Sequence, residues 1–441
     1  MMFLVCMLAG GLTACGPQVD PEPCTTENEV LDGTHMDKNM VEAEKECENR
    51  PVAKQTVDLT ENVPKPEFEI GYTTELPLTP ILRFGWEVLQ ESVKQTEQGE
   101  NVLVSPLSAF TALQMAMIGA DGETREQMEE VLRTPLNFYV VDCARGLPSG
   151  NGFTFNMANS IWYKDDGALM VKEPFLQFNI DAFDTDIFMA PFDEGTLRDI
   201  NHWVSNKTDG KIENILNEIP EEAVVYLINA LSFDAEWESV YKETEVWKDI
   251  FLKEDGTEQL VEMLHSEENS YLENESATGF VKYYKGKNYA FVALLPKEGM
   301  SVADYVQKLT GEEIAELLNS QQNTSVQVTM PKFSTEYSVE LKDILAKMGM
   351  PDAFDMDKAD FTLMAESQKG NIYINKVLQK TFLSVDERGT SAGAATVVEM
   401  ANKMALLNRK EVILNRPFVY MVVECEYNEP LFIGTMMDVK K

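Results

Sequence analysis

Hydrolysis by a protein nucleophile needs a serine, cysteine or threonine held beside a base, and that base is most often histidine. This chain of 441 residues has three histidines, His35, His202 and His265, and the first lies in a segment with the composition of a tail. No HExxH, CxxC, P-loop or GxGxxG pattern occurs, which leaves metal, redox and nucleotide chemistry without a foothold. The six cysteines are Cys6, Cys15, Cys24, Cys47, Cys143 and Cys425. Cys24 and Cys47 could pair in an oxidising compartment, although spacing alone does not pair them. Cys425, inside FVYMVVECEY, reads as a small buried hydrophobe. The chain is therefore expected to be no enzyme, with no catalytic residue, no metal site and no cofactor.

Charge excludes another class. The formal net charge is −37, so a nucleic-acid backbone would be repelled wherever no basic patch intervenes, and none is visible. Apolar residues make up 44%, enough for a sizeable core. The opening MMFLVCMLAGGLTACG holds an apolar run too short to span a bilayer and then Leu12-Thr13-Ala14-Cys15, which resembles a bacterial lipoprotein signal. That resemblance implies cleavage before Cys15, a lipid on Cys15, and a protein exported and anchored at the cell envelope. No Lys or Arg precedes the run, and an ordinary secretory peptide with a secreted product is the alternative. Residues 16–76, rich in Pro, Glu, Asp, Asn and Thr, read as an acidic disordered tether. Residues 77–441 read as one domain.

The elements of that domain follow from periodicity. Thr79-Pro80 reads as an N-cap with proline at the first helical position, and Ile81, Phe84 and Val88 with Leu82, Leu89 and Val93 form a helical stripe. Ser105-Pro106 repeats the device, with a stop at Gly119, and Thr124 to Gln127 reads as a capping box opening a third helix. Strand-rich runs follow at 224–237, 289–296, 325–337, 371–387 and 412–427, with helical segments near 173–180, 196–206, 301–318 and 338–348. Helices in front and mixed elements behind give the class α+β.

Between two apolar strands lies GTSAGAAT, residues 389–396, in which nothing is larger than threonine. With SAGAATVVEMANKMALL it could form an amphipathic helix capped by Ser391, or it could be a flexible linker. A third reading is a strand in waiting. Thr390, Ala392, Ala394 and Thr396 would form one face, with Ser391, Gly393 and Ala395 on the other. Both faces are small and uncharged, as a segment sliding between two strands already packed would require.

DERGTSAGAATVVEM resembles the reactive-loop hinge of the serpins, the suicide protease inhibitors. The resemblance extends over NVLVSPLSAFTALQMAMIGADGETREQMEEVL, INHWVSNKTDGKI, LINALSFDAEW, VTMPKFSTEYSVELKDILAKMGMPDAFDMDKADFT, NRPFVYMVVE and PLFIG, in that order. It implies a large, mostly antiparallel central sheet, smaller sheets, about eight or nine helices and an exposed reactive-centre loop. It also implies a monomer that traps a serine protease as a covalent acyl complex.

By position, the resemblance makes Glu387 the end of the strand before the loop and Gly389, Thr390, Ser391, Ala392, Gly393, Ala394, Ala395 and Thr396 the hinge. The reactive bond falls at Lys403-Met404, sixteen residues past Glu387. A lysine there implies a trypsin-like target, since a buried ammonium needs an acidic partner. Ser105, Ser108 and Asn229 match the polar shutter beneath the opening sheet; Trp237 and Lys332 match the loop's entry point, Lys332 as the ion partner of Glu387. Simpler roles for the same residues are a helix cap for Ser105, a satisfied core amide for Asn229, a core aromatic for Trp237 and a surface ion pair.

The match departs in places. Gln379 stands where the family usually has a shutter histidine. The chain between Leu132 and Asn159 is short, so no heparin site is expected. From Met404 to Pro417 the loop is about three residues long in excess, which leaves Met404-Ala405, Leu406-Leu407 and Arg409-Lys410 as alternative bonds. A non-inhibitory member acting as carrier or chaperone is the alternative function. The small residue at Thr390 favours inhibition, because non-inhibitory members often carry a bulky or charged one early in the hinge. Sequons at Asn206, Asn274 and Asn323 would matter only in a glycosylating host.

Overall fold

The computed structural model describes residues 55–64, 80–135, 153–165, 167, 169–368, 370–390 and 410–440. They belong to one compact unit, Lys54–Lys441. In chain order come β1 (Val57–Asp58), α1 (Pro80–Gln95), β2 (Val102–Val104), α2 (Pro106–Met117), α3 (Gly122–Leu132), β3 (Phe153–Lys164), β4 (Leu169–Val171), α4 (Glu173–Phe183), β5 (Asp186–Ala190), α5 (Glu194–Lys207) and β6 (Val225–Glu236). There follow β7 (Val246–Leu252), β8 (Glu258–Glu273), β9 (Ala277–Tyr283), β10 (Tyr289–Pro296), α6 (Val302–Lys308), α7 (Gly311–Asn319), β11 (Gln322–Pro331), β12 (Phe333–Glu340) and α8 (Lys342–Met348). Last are β13 (Ala365–Ser367), β14 (Lys376–Val385), β15 (Gly389–Thr390), β16 (Lys410–Ile413), β17 (Phe418–Glu424) and β18 (Pro430–Met436).

Two sheets organise these elements. A seven-stranded sheet has the order β1-β5-β3-β6-β15-β14-β12, with β6 and β14 also paired directly. A nine-stranded sheet runs β16-β11-β8-β9-β10-β17-β18-β2, with β7 attached to β8, and a small pair joins β13 to β4. Pairing is mostly antiparallel; β3 with β5, β6 with β14 and β11 with β16 are parallel. With eight α-helices among the described residues, the class is α+β as expected.

α2 explains how the sheet is backed. All twelve of its residues are buried, as an all-round apolar helix must be, and it packs against β3, β6 and β18. α1 buries Ile81, Leu82, Phe84, Val88 and Leu89 of the expected stripe and half-buries Val93, while Thr79 lies outside the described residues.

Several sequence expectations are corrected. The third helix starts at Gly122, its cap is Asp121, and Thr124 instead accepts from the Asp360 amide, so Thr124–Gln127 is no capping box. The run 325–337 is two strands: β11 pairs with β8 as far as Pro331 opposite Met263, Lys332 N still donates to Glu262 O of β8 at 2.9 Å, and from Phe333 the chain pairs with β14 as β12 in the other sheet. The run 412–427 is likewise two strands, β16 ending at Ile413 and β17 starting at Phe418 just after Pro417. The helical run 301–318 is α6 and α7, divided where Thr310 and Glu313 form a capping box. Residues 338–340 are strand, and α8 begins after them. Finally, part of the stretch 16–76 read as tether is built into the fold: Val57 and Asp58 pair with Met189 and Phe188 of β5, and Leu59 N donates to Ile187 O at 2.8 Å. Alternating polarity over so short a strand is invisible inside an acidic segment.

Candidate functional site

The site is the seam between β6 and β14. The two strands are directly paired and parallel from Tyr226 opposite Lys376 to Leu231 opposite Thr381, and beyond that point they part. β15 sits in the gap, antiparallel to both: Gly389 faces Glu236, and Thr390 faces Ala235 on one side and Val385 on the other. Parallel ladders are slightly weaker per residue than antiparallel ones, so a strand continuing β15 down the seam would replace one parallel interface with two antiparallel ones.

Only glycine fits at 389. A Cβ there would lie 1.9 Å from the Ala235 carbonyl oxygen. Thr390 is fully buried, and its Oγ1 lies 2.6 Å from the Tyr284 hydroxyl. Burial drives the Tyr284 phenol well above the usual tyrosine value despite this bond, so it stays neutral. Its ring stacks on Trp237 with centroids 4.4 Å apart and planes 9° apart.

The turn that feeds β15 is clasped from several sides. Asp386 accepts through Oδ1 from the amides of Arg388 at 2.8 Å and Gly389 at 3.1 Å, an Asx-type turn. Trp237 donates its amide to Arg388 O at 2.8 Å and its indole N–H to Asp386 O at 2.9 Å, and the Tyr241 amide donates to Glu387 O at 2.9 Å. Lys332 Nζ bridges Glu387 at 2.7 Å and Glu262 at 3.3 Å. The hydrogen bond from Lys332 holds the Glu387 carboxyl below the usual carboxylate range, against the upward pull of burial. Burial alone would lower Lys332, yet the hydrogen bonds and charges of Glu387 and Glu262 carry it above the ordinary lysine value.

Lower in the seam, Asn159 of β3, Asn229 of β6 and Gln379 of β14 stand side by side in register. Asn229 Nδ2 donates to Ser108 O at 2.7 Å and to Asn159 Oδ1. Gln379 Nε2 donates to Asn229 Oδ1 at 3.2 Å and to Ser105 O at 2.9 Å, while its Oε1 accepts from the Ser105 amide at 2.9 Å. The amide thus spans the two strands and the N-terminus of α2, using both its donor and its acceptor. Ser105 makes no side-chain cap bond, and the hydroxyls of Ser105 and Ser108 are buried without a partner among the described residues. Both serines contribute main-chain oxygens to this network. Strands lie about 4.8 Å apart, so a strand between β6 and β14 would separate Gln379 from Asn229 to about twice that and break their bond.

The structure brings Glu387, Gly389, Thr390, Trp237 and Lys332 together at the top of the seam and Ser105, Ser108 and Asn229 below it. Ser391, Ala392, Gly393, Ala394, Ala395, Thr396, Lys403, Met404 and Cys15 lie outside the described residues, as do Cys24 and Cys47 and most of the segment between Leu132 and Asn159. Lys410 is held in β16, with Nζ 2.8 Å from Glu273, so a protease at Arg409-Lys410 would have to unpick a paired strand. Cys425 is partly buried rather than fully so, and burial raises its thiol to about 12. Sequence reading missed Asn159, Tyr241 and Tyr284, whose types and spacing carry no signal of their own; only the register brings them to the seam. Among the described residues no cluster of His, Cys, Asp and Glu could hold a metal ion.

A family model described as Serpin (serine protease inhibitor) matches residues 80–439. An uncharacterized serpin-like protein of Thermococcus kodakarensis is 31% identical over 77% of this chain and 81% of its own length. Antithrombin-III of Mus musculus is 28% identical over 80% of this chain and 79% of its own. Among solved structures, the thermophilic serpin tengpin in its native state is 42% identical, with TM-score 0.81 over 87% of this chain and 100% of that one. The same protein in its latent state gives TM-score 0.70 over 82% and 97%.

Proposed function

The chain belongs to the serpin family, and from that premise we propose that it is a suicide inhibitor of serine proteases, with trypsin-like enzymes as the favoured target. Serpins generally inhibit proteases and are not catalysts themselves. In the proposed reaction the protease's serine Oγ attacks the Lys403 carbonyl, the Lys403–Met404 amide breaks, the Met404 amine leaves with a proton, and an ester joins Lys403 to the enzyme. The freed segment then continues β15 down the seam as a new strand. At about 3.3 Å per residue, roughly 15 residues would carry the tethered enzyme about 50 Å before water could release it.

One observation carries this reading: Gly389 and Thr390 already occupy the gap between β6 and β14 in the antiparallel register that the rest of the segment would extend. Insertion then needs elongation rather than nucleation. Its driving force is pairing and burial withheld in the starting fold, a kinetically trapped state.

Incubation with trypsin tests the proposal. An adduct that survives SDS, together with a small C-terminal fragment whose mass begins at Met404, is the expected result. Clean cleavage and release would overturn inhibition in favour of a carrier or chaperone role. Serpins are mostly secreted or extracellular, and no helix among the described residues is long and apolar enough to cross a membrane. Export with a lipid on Cys15 completes the proposal, and mass analysis of the mature N-terminus in a bacterial host tests it.

A further inference from the structure

Beneath the turn that feeds β15 lies a charged group that no role assigned above uses. Lys282 of β9 is 2% exposed at its side chain. Its ammonium lies 2.7 Å from Glu268 Oε1, and that carboxylate also accepts from Ser266 Oγ at 2.7 Å. The same ammonium stands 4.5 Å from the centre of the Tyr241 ring and 5.4 Å from that of Trp237, within the range of cation–π attraction. The Tyr241 hydroxyl in turn lies 3.2 Å from Ser266 Oγ, which closes the cluster.

Net stability is a weak reason for this arrangement. Desolvating a lysine and a glutamate costs about as much as their attraction returns, and an apolar side chain of similar volume often serves the core equally well. What the cation does is geometric. Trp237 and Tyr241 are the two residues whose amides hold the loop turn, at Arg388 O and Glu387 O, and Trp237 also reaches Asp386 O and stacks on the Tyr284 that bonds Thr390. Their rings come from a segment after β6 with no ladder of its own; Trp237 makes a single isolated bridge, to Tyr284.

We infer that Lys282 is a positioning residue for the hinge: its ammonium, fixed by Glu268, holds the Trp237 and Tyr241 rings so that their backbones grip the turn at 386–389 and keep Thr390 seated. The inference rests on the proposed insertion mechanism for its consequence, since a loosened turn leaves elongation without its seated start. It rests on geometry alone for the grip itself.

The test is hydrogen exchange on Lys282→Met, an apolar replacement of similar length, beside Lys282→Arg. Losing two cation–π contacts should speed exchange in peptides covering 236–241 and 386–390 by about fivefold or more. Peptides from β17 and β18 should keep their protection, and Lys282→Arg should restore most of the loss. Unchanged exchange at the turn, or an increase spread evenly through β17 and β18, would overturn the inference and leave Lys282 a structural residue. If Lys282→Met does not fold, Glu268→Gln weakens the anchor of the same ammonium and is read the same way. Trypsin titration adds a second readout: more moles of the Lys282→Met variant should be consumed per mole of protease trapped than of the unaltered chain. An unaltered chain that traps none sinks the inhibitor reading, and the exchange pattern then decides the positioning role by itself.

Discussion

The Tyr284 hydroxyl and Thr390 Oγ1 lie 2.6 Å apart, and this bond joins the end of β9 to β15 inside the seven-stranded sheet. Both groups are fully buried, so neither has water as a substitute partner. Tyr284→Phe keeps the stack on Trp237 and leaves the threonine hydroxyl unpaired. The expected cost is about 1 kcal/mol of the seated hinge, a factor of about five in its population. Faster hydrogen exchange at 386–390 without loss of the Trp237 stack checks this, and equal exchange in both proteins would show the bond to be incidental.

The seam leaves no room for more bulk at Gly389 or Thr390. Gly389→Ala places a methyl carbon against the Ala235 carbonyl, and Thr390→Arg puts a guanidinium where no exposed surface exists. Each should expel β15 from the seam. For Thr390→Arg the burial of an unpaired charge is prohibitive, and the variant should be cleaved as a substrate with the SDS-stable adduct lost. A variant that still forms the adduct at undiminished stoichiometry would mean that the loop does not enter here.

Clipping the loop without a protease attached should leave the segment free to enter. A nicked molecule should then melt higher than the intact one, by about 7 °C for a gain of about 5 kcal/mol in a domain of roughly 360 residues. Calorimetry before and after limited proteolysis reads the shift directly.

Much of this arrangement is legible in the chain. Gly389 and Thr390, the described part of the run 389–396, sit between two strands as its lack of bulk and charge allows, and the long strands β6 and β10 fall where β-rich runs place them. The hinge pair Lys332 and Glu387 follows from family position. What stays hidden depends on register between distant strands. Asn159, Asn229 and Gln379 form one row only because β3, β6 and β14 pair as they do, and Tyr284 meets Thr390 across 106 positions. A helix cap is hidden from the sequence where a side chain has a better use elsewhere, as Thr124 has in accepting from the Asp360 amide. Runs crossing Pro331 and Pro417 look continuous in apolar content while the backbone changes partner.

Acid should loosen the clasp before it unfolds the sheet. Glu387 titrates below the ordinary carboxyl value of 4.5 because Lys332 bonds it, so its contribution is complete above that value and disappears as pH falls through the depressed one. Lys332 is raised above 10.5, so its side of the pair is complete below that value and is lost only as pH climbs through the raised one. Hinge exchange, corrected for intrinsic rates, should therefore be level across neutrality and rise below about pH 4. In Glu387→Gln the acid rise attributable to this pair should vanish; if it persists unchanged, another carboxylate governs the turn.

Gln379 makes the opposite prediction for the amide row below. An amide does not titrate, and it already bonds Ser105 twice and Asn229 once, so nothing in that row changes charge near neutral pH. Gln379→His would place an imidazole at a site 1% exposed, where burial disfavours the charged form and depresses the folded pKa below about 6.5. The unfolded chain then binds the proton more readily, and stability is full above about 6.5 and falls as pH drops below it. An imidazolium could also no longer accept from the Ser105 amide, which weakens the link between β14 and α2 that must break for the seam to open. Spontaneous loop insertion by Gln379→His, measured as loss of inhibitory titre over time, should accelerate relative to the unaltered protein between about pH 6.5 and 5 and match it at pH 8. A constant ratio across that range would mean that the amide row does not gate the sheet.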